Sequence, residues 1–589
     1  MLYRPYAFFR RGKSIMKKLF TGGRRKVAAV MAIALVASLS QVATSGASGA
    51  STPKRGGNIT VGIFDSFPGF CMADNLANSA LMGGRTIYET WVEQRSDGKI
   101  VPYVLKSFES SSDYKTWNLV VRDGIKFHDG SPVDGTALLL NLQASRGALY
   151  LNGLIGKTPK SPSSGTGAGF SANIADVIQT GAMSVTVKLY NGEANYPDSL
   201  YASGRNFVRS IAQITGPTCS TVPVGTGAFK YVSHKLTELV VAKNDNYWRK
   251  DAKGGALPYL DGITFTFIPD AQPRVSGVKS GSLAATMFSS ASEAKQILAL
   301  QKDKKVTTIS SPMDYYPTIW LNHKVAPFSS KNARLAFSHS LDRAKWLKVR
   351  QKGLGSVPDS IVGPNNIMYN KKGYAGYDLK KAKEFTAAYT AETGKTLEFS
   401  LPYVSSSADS TANAQLMKEM AEAAGMKVNL LSQTTAEAIQ KAFPMQYQML
   451  PLLLMEGTGT AFILPFIVSD TSGGNPTHFL RGAAKLSPAL AGLQVFYSIL
   501  NISSFKDEVS ENLLFAARAE PNKAKAQKLY AQATEQLQKE AHVANISFLQ
   551  YTVTYNKLGG VGQLGLAAGG ERRLITNFGI DWTGVWSTK

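Results

Sequence analysis

The chain has 589 residues, of which 18% are charged, 44% apolar and 10% aromatic, and it contains two cysteines. These values exclude a disordered chain, a collagen-like chain and a small disulfide-stapled domain, and the length suffices for several packing units. The net charge of +24 raises the question of a nucleic-acid partner, but nine basic and no acidic residues fall within residues 1–50. Since residues 51–589 contain no run of five like charges and no zinc-finger spacing, we predict that the chain does not bind nucleic acid.

Residues 1–50 have the layout of a secretory signal peptide. A basic stretch ends at Lys26, an 11-residue apolar run follows over 27–37, and small residues come next. The run is short of the roughly 20 residues that span a membrane, and the small residues suit cleavage after Ala47 or Ala50. No cysteine precedes the mature chain. We therefore expect an exported protein without a lipid anchor, which meets the membrane only through a partner or through an uncleaved signal.

Two features of this segment leave alternatives open. Met16 begins a signal of ordinary length by itself, so it could be the true start. Arg24 and Arg25 form a twin-arginine candidate that lacks the usual flanking residues.

Export changes the interpretation of the two cysteines, Cys71 and Cys219. An oxidising compartment lets them pair, and the resulting disulfide would close a loop between residues 148 positions apart. Chain entropy credits such a loop with about 4 to 5 kcal/mol. We predict this disulfide; the alternative is two buried unpaired thiols.

No arrangement of residues indicates catalysis, a metal or a cofactor. No two of the six histidines lie within five residues of each other, so a helical metal pair does not exist locally. The segment 156–158 resembles the end of a phosphate loop, but Leu151 stands where that motif needs glycine. No Gly-x-Ser-x-Gly nucleophile elbow occurs. We therefore predict no catalytic residue, no metal ligand and no cofactor.

The first half of the chain predicts strands separated by glycine-containing turns. Alternating residues predict strands at 58–63 and 115–122, and further strands follow at 228–232 and 239–242. The turn at 65–70 carries two phenylalanines at the end of the first strand, which is a suitable edge for a binding cleft.

The second half mixes helices with short strands. A 3.6-residue apolar period predicts helices at 333–349, 412–425 and 522–540. Short strand-like segments lie at 306–309, 318–321, 397–401, 428–431 and 546–549. This mixture indicates an α/β fold.

A series of short motifs in a fixed order covers nearly the whole mature chain. Those in the first half are Ile87-Tyr-Glu-Thr90, Gly98-Lys-Ile-Val-Pro102, Asp113-Tyr-Lys-Thr-Trp117, Val121-Arg-Asp-Gly-Ile-Lys-Phe-His-Asp-Gly-Ser-Pro-Val133, Pro223-Val-Gly-Thr-Gly227, Asn244-Asp-Asn-Tyr-Trp248, Leu260-Asp-Gly-Ile263 and Val278-Lys-Ser-Gly281. Those in the second half are Leu321-Asn322 with Pro327-Phe328, Asn332-Ala-Arg-Leu-Ala-Phe337, Ser340-Leu-Asp-Arg343 and Ala526-Gln-Lys-Leu-Tyr530. In this order the motifs resemble family 5 of the extracellular solute-binding proteins, the peptide- and nickel-type receptors of ABC importers. Two departures are Ala284, where the pattern often has Asp, and the missing lipobox cysteine.

The resemblance implies a two-lobed periplasmic-binding-protein fold of the cluster C type, with an enlarged first lobe and a hinge of two chain crossings. Lobe I would comprise residues 51–305 together with a C-terminal return over 551–589, and lobe II would comprise 306–550. It also implies a periplasmic or extracellular location, an importer permease as partner, and a solute enclosed between the closing lobes. The motifs at 122–130 and 225–227 would then be scaffold.

The resemblance constrains the ligand less closely. Dipeptide-binding relatives hold the ligand's amino group with an Asp and its carboxylate with an Arg, but the corresponding segments at 401–407 and 454–459 offer only Glu456. A buried ligand charge needs a partner, which disfavours a zwitterionic dipeptide unless Glu456 takes the Asp role. We expect a neutral or amphipathic oligopeptide, or another apolar solute, in preference to bare nickel. The candidate contacts are Phe67, Phe70, Tyr315, Tyr316, Tyr403, Ser405, Met455 and Glu456.

The predicted function is therefore that of a non-enzymatic solute-binding receptor for an importer, with an oligopeptide-like ligand. A non-peptide solute on the same fold is the first alternative. A cell-envelope adhesion or chaperone-like role is another, and a secreted hydrolase would require a nucleophile and base that the motifs do not supply.

Overall fold

The computed structural model describes most of the chain after the signal-like segment. The described residues are 52–67, 69–70, 80–95, 98–145, 171, 173–216, 222–289, 292–311, 315–434, 437, 441, 445–457, 459–461, 463–467, 501–561, 565–566, 570–571, 575–576 and 579–589. The predicted signal peptide over 1–50 and the predicted disulfide between Cys71 and Cys219 lie outside these residues.

Strands from distant parts of the chain form the sheets. In chain order they are β1 (Asn58–Ile63), β2 (Val92–Gln94), β3 (Ile100–Pro102), β4 (Leu105–Ser110), β5 (Thr116–Val121), β6 (Ile174–Gly181), β7 (Ser184–Leu189), β8 (Phe229–Lys235), β9 (Glu238–Lys243), β10 (Gly262–Phe267), β11 (Ala285–Ser289), β12 (Thr307–Ser310), β13 (Tyr315–Leu321), β14 (Glu398–Val404), β15 (Lys427–Gln433), β16 (Met449–Glu456), β17 (Val543–Asn545) and β18 (Tyr551–Tyr555), followed by six two-residue strands. The larger sheets have the orders β12-β18-β11-β1-β10-β9-β8, β4-β5-β7-β6 and β16-β13-β17, and β14 pairs with β15.

Helices cover the faces of these sheets. The described α-helices are α1 (Arg85–Ile87), α2 (Gly135–Ser145), α3 (Tyr196–Tyr201), α4 (Ile211–Thr215), α5 (Ala271–Ser280), α6 (Ala294–Gln301), α7 (Lys331–Ser340), α8 (Arg343–Arg350), α9 (Leu379–Thr393), α10 (Ala408–Ala423), α11 (Leu464–Ile467), α12 (Glu508–Ala519) and α13 (Lys523–Lys539). Among the described residues, no helix combines the length and the apolar composition needed to cross a bilayer.

The strand β1 is at the centre of the seven-stranded sheet and confirms the predicted strand at 58–63. It runs parallel to both of its neighbours, β10 and β11. Its residues Ile59, Val61 and Ile63 are buried in the core around this sheet. These three residues alternate along the strand and therefore face the same side of the sheet, where they contact the core.

The polypeptide passes twice between the seven-stranded and three-stranded sheets. The first passage leads from β12 to β13, and the second leads from β17 to β18. The two passages run side by side, because the Ser311 N–H donates to the Tyr551 carbonyl over 2.8 Å and the Leu549 N–H donates to the Tyr315 carbonyl over 2.9 Å. Strands before 311 and after 550 thus share one sheet.

Two predicted elements are wrong. The helix predicted at 333–349 is two helices, α7 and α8, because Leu341 is extended and the Asp342 side chain caps the second helix by accepting from the Lys345 N–H. The strand predicted at 546–549 lies after β17, and its last two residues make only isolated bridges. Local residue propensities favoured both predictions. The capping residue Asp342 divides the helix, and tertiary pairing limits 548–549 to isolated bridges.

Candidate functional site

Four of the predicted contacts come together on two neighbouring strands. Tyr315 and Tyr316 begin β13, while Met455 and Glu456 end β16. In the antiparallel register Tyr315 is opposite Glu456, and Tyr316 is opposite Met455. The structure therefore joins, at one end of the three-stranded sheet, two segments that the sequence separates by about 140 residues.

Both tyrosine rings are buried in packing contacts. The Tyr315 ring centroid lies 4.8 Å from that of Tyr551, and the Tyr316 ring lies 5.4 Å from Phe548. The Tyr316 hydroxyl donates to the Gly457 carbonyl over 2.8 Å. Tyr316 thus fixes the turn that follows β16.

Phe67 and Phe70 follow β1 by four and seven residues and lie in the core of the seven-stranded sheet. Their ring centroids are 6.1 Å and 5.2 Å from that of His234, which both rings meet edge-on. Phe70 also meets Tyr231 at 5.9 Å. Both phenylalanines are buried, and Tyr315 belongs to the same core.

Tyr403 and Ser405 lie at and just beyond the end of β14. Tyr403 is half-buried and packs against the core formed by α7, α9, α10 and β14. Ser405 is exposed in the turn before α10. Tyr403 and Ser405 therefore lie at the end of the β14–β15 sheet, whereas Tyr315 and Tyr316 begin β13 in a different sheet.

A buried carboxylate that the sequence analysis missed contacts the segment after β16. Asp198, on α3, accepts from the backbone N–H groups of Thr460 and Ala461 over 3.0 Å and 3.1 Å. Asp198 is only 6% exposed. Burial outweighs these two hydrogen bonds and raises the pKa of Asp198 above its ordinary value.

A second buried carboxylate, Glu193, lies five residues before Asp198. The Arg518 guanidinium is 2.6 Å from one Glu193 oxygen, and Asn173 and Ser199 donate to the carboxylate over 2.9 Å and 2.7 Å. Burial alone would raise the pKa of Glu193, but the Arg518 charge and these donors hold it below its usual range. The Glu193 charge is thus fully partnered.

The turn between β16 and α11 is shaped by its glycines. A Cβ atom at Gly459 would lie 2.2 Å from a carboxylate oxygen of Asp198, and one at Gly457 would lie 2.8 Å from the Ser203 hydroxyl. Asn366 donates to the carbonyls of both glycines over 3.0 Å and 2.9 Å. Any side chain at these two positions would push the facing segment away.

The glycines at 225 and 227 have a packing role. A Cβ atom at Gly225 would lie 2.2 Å from the Ile87 carbonyl oxygen, and one at Gly227 would lie 2.3 Å from that of Thr86. The His128 Nε2 is 2.9 Å from the Gly227 carbonyl oxygen. These contacts join three of the motifs into one scaffold, which is the role expected of them.

A cavity of about 350 Å³ lies beside the β14–β15 pair. Its lining includes Pro402, Leu431 and Gln433 from the strands and Lys441 and Tyr447 from the following segment. None of the eight predicted contacts lines it. Among the described residues, no group of three or more His, Cys, Asp or Glu side chains could hold a metal ion.

The sequence of this chain is similar to a known protein family and to several of its characterised members. Residues 99–465 match the model of the bacterial extracellular solute-binding proteins, family 5. The glutathione-binding protein GsiB of Pectobacterium atrosepticum is 25% identical over 403 residues, which are 65% of this chain and 70% of that protein. The nickel-binding periplasmic protein of Escherichia coli K12 is 24% identical, over 59% of this chain and 66% of that protein.

A solved structure shares the fold. The oligopeptide-binding protein AppA from Bacillus subtilis, solved in complex with a nonapeptide, aligns with a TM-score of 0.70 at 17% identity. The alignment covers 91% of this chain and all of that one. The predicted two-lobed α/β fold and the predicted solute-binding function are confirmed. Because the family model spans more than half of the sequence, this chain belongs to family 5 of the bacterial extracellular solute-binding proteins.

Proposed function

We propose that this protein is the receptor of an ABC importer, which encloses an oligopeptide-like solute between two lobes and delivers it to a permease. The observation that carries the peptide assignment is the state of the charges beside the turn after β16. Glu193 and Asp198 already have partners there within the protein. A short solute whose charged ends are both enclosed would need other partners, whereas an oligopeptide long enough to keep its termini in water can be held through its backbone and apolar side chains.

Two relatives support this proposal from different sides. GsiB binds glutathione and AppA holds a nonapeptide, according to their descriptions. A non-peptide solute is the second candidate, because the Escherichia coli relative is described as nickel-binding. On either assignment the chain is a receptor without enzymatic activity, exported to the outer face of the membrane and brought to the bilayer by its permease.

The proposed lobes divide as 51–310 with 551–589 for lobe I and 311–550 for lobe II; the first boundary moves from 305 because β12 (Thr307–Ser310) pairs with β18 in the seven-stranded sheet. Support comes from β18, which lies between β11 and β12 in the seven-stranded sheet although it follows β17 in the chain. The two passages are then the hinge, where Ser311 and Tyr315 of the first contact Tyr551 and Leu549 of the second. Such paired crossings let the lobes rotate while their sheets stay intact.

We place the solute at the lobe junction near the start of β13 and the end of β16. Tyr315, Tyr316, Met455 and Glu456 lie there on paired strands. Phe67 and Phe70, which are buried in the core of the seven-stranded sheet, would support the opposite wall from behind and not line it. Tyr403 and Ser405, at the end of β14, would reach only a solute that extends along lobe II. A longer peptide fits that spread better than a single small ion.

Thermal unfolding in the presence of solute pools tests the proposal. Mature protein would be freed of co-purified solute by unfolding and refolding, then heated with synthetic peptides of three to nine residues, with glutathione, or with nickel and histidine. A pool at a hundred times its Kd stabilises the native state by about 2.7 kcal/mol, which raises the melting temperature measurably. Stabilisation by nickel with histidine alone would contradict the peptide assignment, and stabilisation by no pool would contradict all of these solutes.

A further inference from the structure

We propose that Asp198, Glu193 and Arg518, together with the backbone N–H groups of Thr460 and Ala461, form a closure latch that keeps the closed form populated without solute. This inference rests on the lobe division proposed above. It assigns a positioning role to residues that no feature of the sequence marked. The latch acts on the lobes, and its residues need not touch the solute.

The two sides of the latch belong to different lobes. The helix α3 carries Asp198, and its Tyr196, Leu200 and Tyr201 are buried in the core of the β4–β7 sheet in lobe I. The opposing N–H groups follow β16, and Arg518 lies in the last turn of α12, which packs against α13 in lobe II. A hydrogen bond or ion pair between these elements therefore forms only when the two lobes are close together.

The lobe II side of the latch is preorganised. Tyr316 and Asn366 hold the carbonyl of Gly457, and Asn366 also holds that of Gly459. With the carbonyls fixed on one side of the turn, the N–H groups of the next residues point to Asp198. Hydrogen bonds from N–H groups to an ionised carboxylate are stronger than those between neutral groups.

The ion pair between Arg518 and Glu193 also joins the two lobes. Arg518 is 7% exposed and Glu193 is 3% exposed, so the pair is shielded from water in this form. The Ala194 N–H donates to the Arg518 carbonyl over 2.8 Å, which adds a backbone contact beside the side-chain pair. Opening the lobes would break both contacts and return both charges to water.

Apolar contact completes the junction. Ala202, which follows α3, is fully buried in the lobe II core that contains Tyr316 and Trp320. The Ser203 hydroxyl fits against Gly457 only because that residue has no side chain. The glycines at 457 and 459 are therefore explained by the closeness of lobe I.

The latch has a limited net strength. Closing removes water from Asp198 and from the Glu193–Arg518 ion pair, and this cost offsets much of the attraction that closing gains. The two forms can then coexist, and a solute needs to supply only a small differential affinity to complete closure. Weakening the latch lowers the fraction of binding-competent protein, so the apparent affinity falls in proportion.

The test compares three variants of the full mature chain, all freed of solute. Gly459→Ala places a methyl group against the Asp198 carboxylate while every charged residue stays in place, and its backbone needs no left-handed conformation. Asp198→Asn removes the charge but keeps the shape. Gly376→Ala is the matched control, because a Cβ atom there meets nothing within 4 Å. Near-ultraviolet circular dichroism checks that each variant folds.

Hydrogen exchange and small-angle scattering provide the readouts. We expect Gly459→Ala and Asp198→Asn to increase the exchange of peptides that contain Thr460 and Ala461 on the order of tenfold, to leave peptides from β14 unchanged, and to enlarge the radius of gyration. Gly376→Ala should match the wild type. Unchanged exchange and unchanged scattering in Gly459→Ala would overturn the latch, and this variant decides alone if Asp198→Asn does not fold.

Binding of the peptide pool separates this proposal from the proposed function. If the variants open as expected and the wild type binds no solute from the pool, the latch stands and the peptide assignment fails. If the wild type binds and the variants neither open nor lose affinity, the assignment stands and the latch fails. The latch predicts that Gly459→Ala weakens binding of the pool roughly in proportion to its loss of closed form.

Discussion

The buried histidine His542 predicts a specific loss of stability in mild acid. Its side chain is fully buried, its Nε2 is 2.9 Å from the Ser503 hydroxyl, and its ring lies 5.7 Å from that of His323. Burial, with the charge of Arg334 adding to it, lowers the pKa of His542 to about 3. The folded protein therefore holds this imidazole neutral at pH values where the unfolded chain protonates it.

The sign and size of the effect follow from that difference. Because the pKa is lower in the folded state, the stabilisation is complete above the unfolded value of about 6.5 and is lost as the pH falls below it. Between pH 7 and pH 5 a folded pKa near 3 removes about 2 kcal/mol from the free energy of unfolding. His128, whose pKa burial lowers to about 4, contributes a similar loss.

The assay is urea unfolding followed by tryptophan fluorescence, at pH 7 and pH 5 and at one ionic strength. His542→Gln keeps a partner for the Ser503 hydroxyl but cannot take up a proton. We expect the wild type to lose about 2 kcal/mol more than the variant between the two pH values. Each protein is compared with itself, so the constant cost of the substitution cancels. Equal losses in the two proteins would refute a buried neutral His542.

Two further substitutions test local packing. Gly225→Ala puts a methyl group 2.2 Å from the Ile87 carbonyl oxygen. Thermal unfolding should show that this variant loses about 1 to 3 kcal/mol of the free energy of unfolding, whereas Gly376→Ala should be close to the wild type; an unchanged melting temperature would contradict the close approach. Tyr316→Phe leaves the Gly457 carbonyl to Asn366 alone and should cost about 1 kcal/mol in the same assay, and a variant as stable as the wild type would show that this hydroxyl bond does not form.

The sequence predicted elements whose signals are local. β1 coincides with the predicted strand because an alternating segment can be recognised without its neighbours. The helix predicted at 522–540 appears as α13, with Asn522 as its N-cap. The break between α7 and α8 was missed because the apolar period continues through it, although Asp342 is a good capping residue.

The latch could not be predicted in the same way. Asp198 and Thr460 are 262 residues apart, and no spacing rule connects an aspartate on a short helix to the amides of a distant glycine turn. Within 454–459 the only acidic residue is Glu456, the candidate partner for a ligand amino group. The carboxylate that reaches this turn comes from another part of the chain, which only the fold brings close.

Native mass spectrometry of the mature protein, as isolated and again after unfolding and refolding, tests the central claim most directly. For an oligopeptide receptor, the protein as isolated is expected to be heavier than the bare chain by the mass of a peptide. This difference should disappear on refolding and return when peptides are added. The mass of the chain itself should be reduced by two hydrogens, for the disulfide between Cys71 and Cys219. A bare chain that takes up no peptide, or an excess that matches a metal ion, would contradict an oligopeptide receptor.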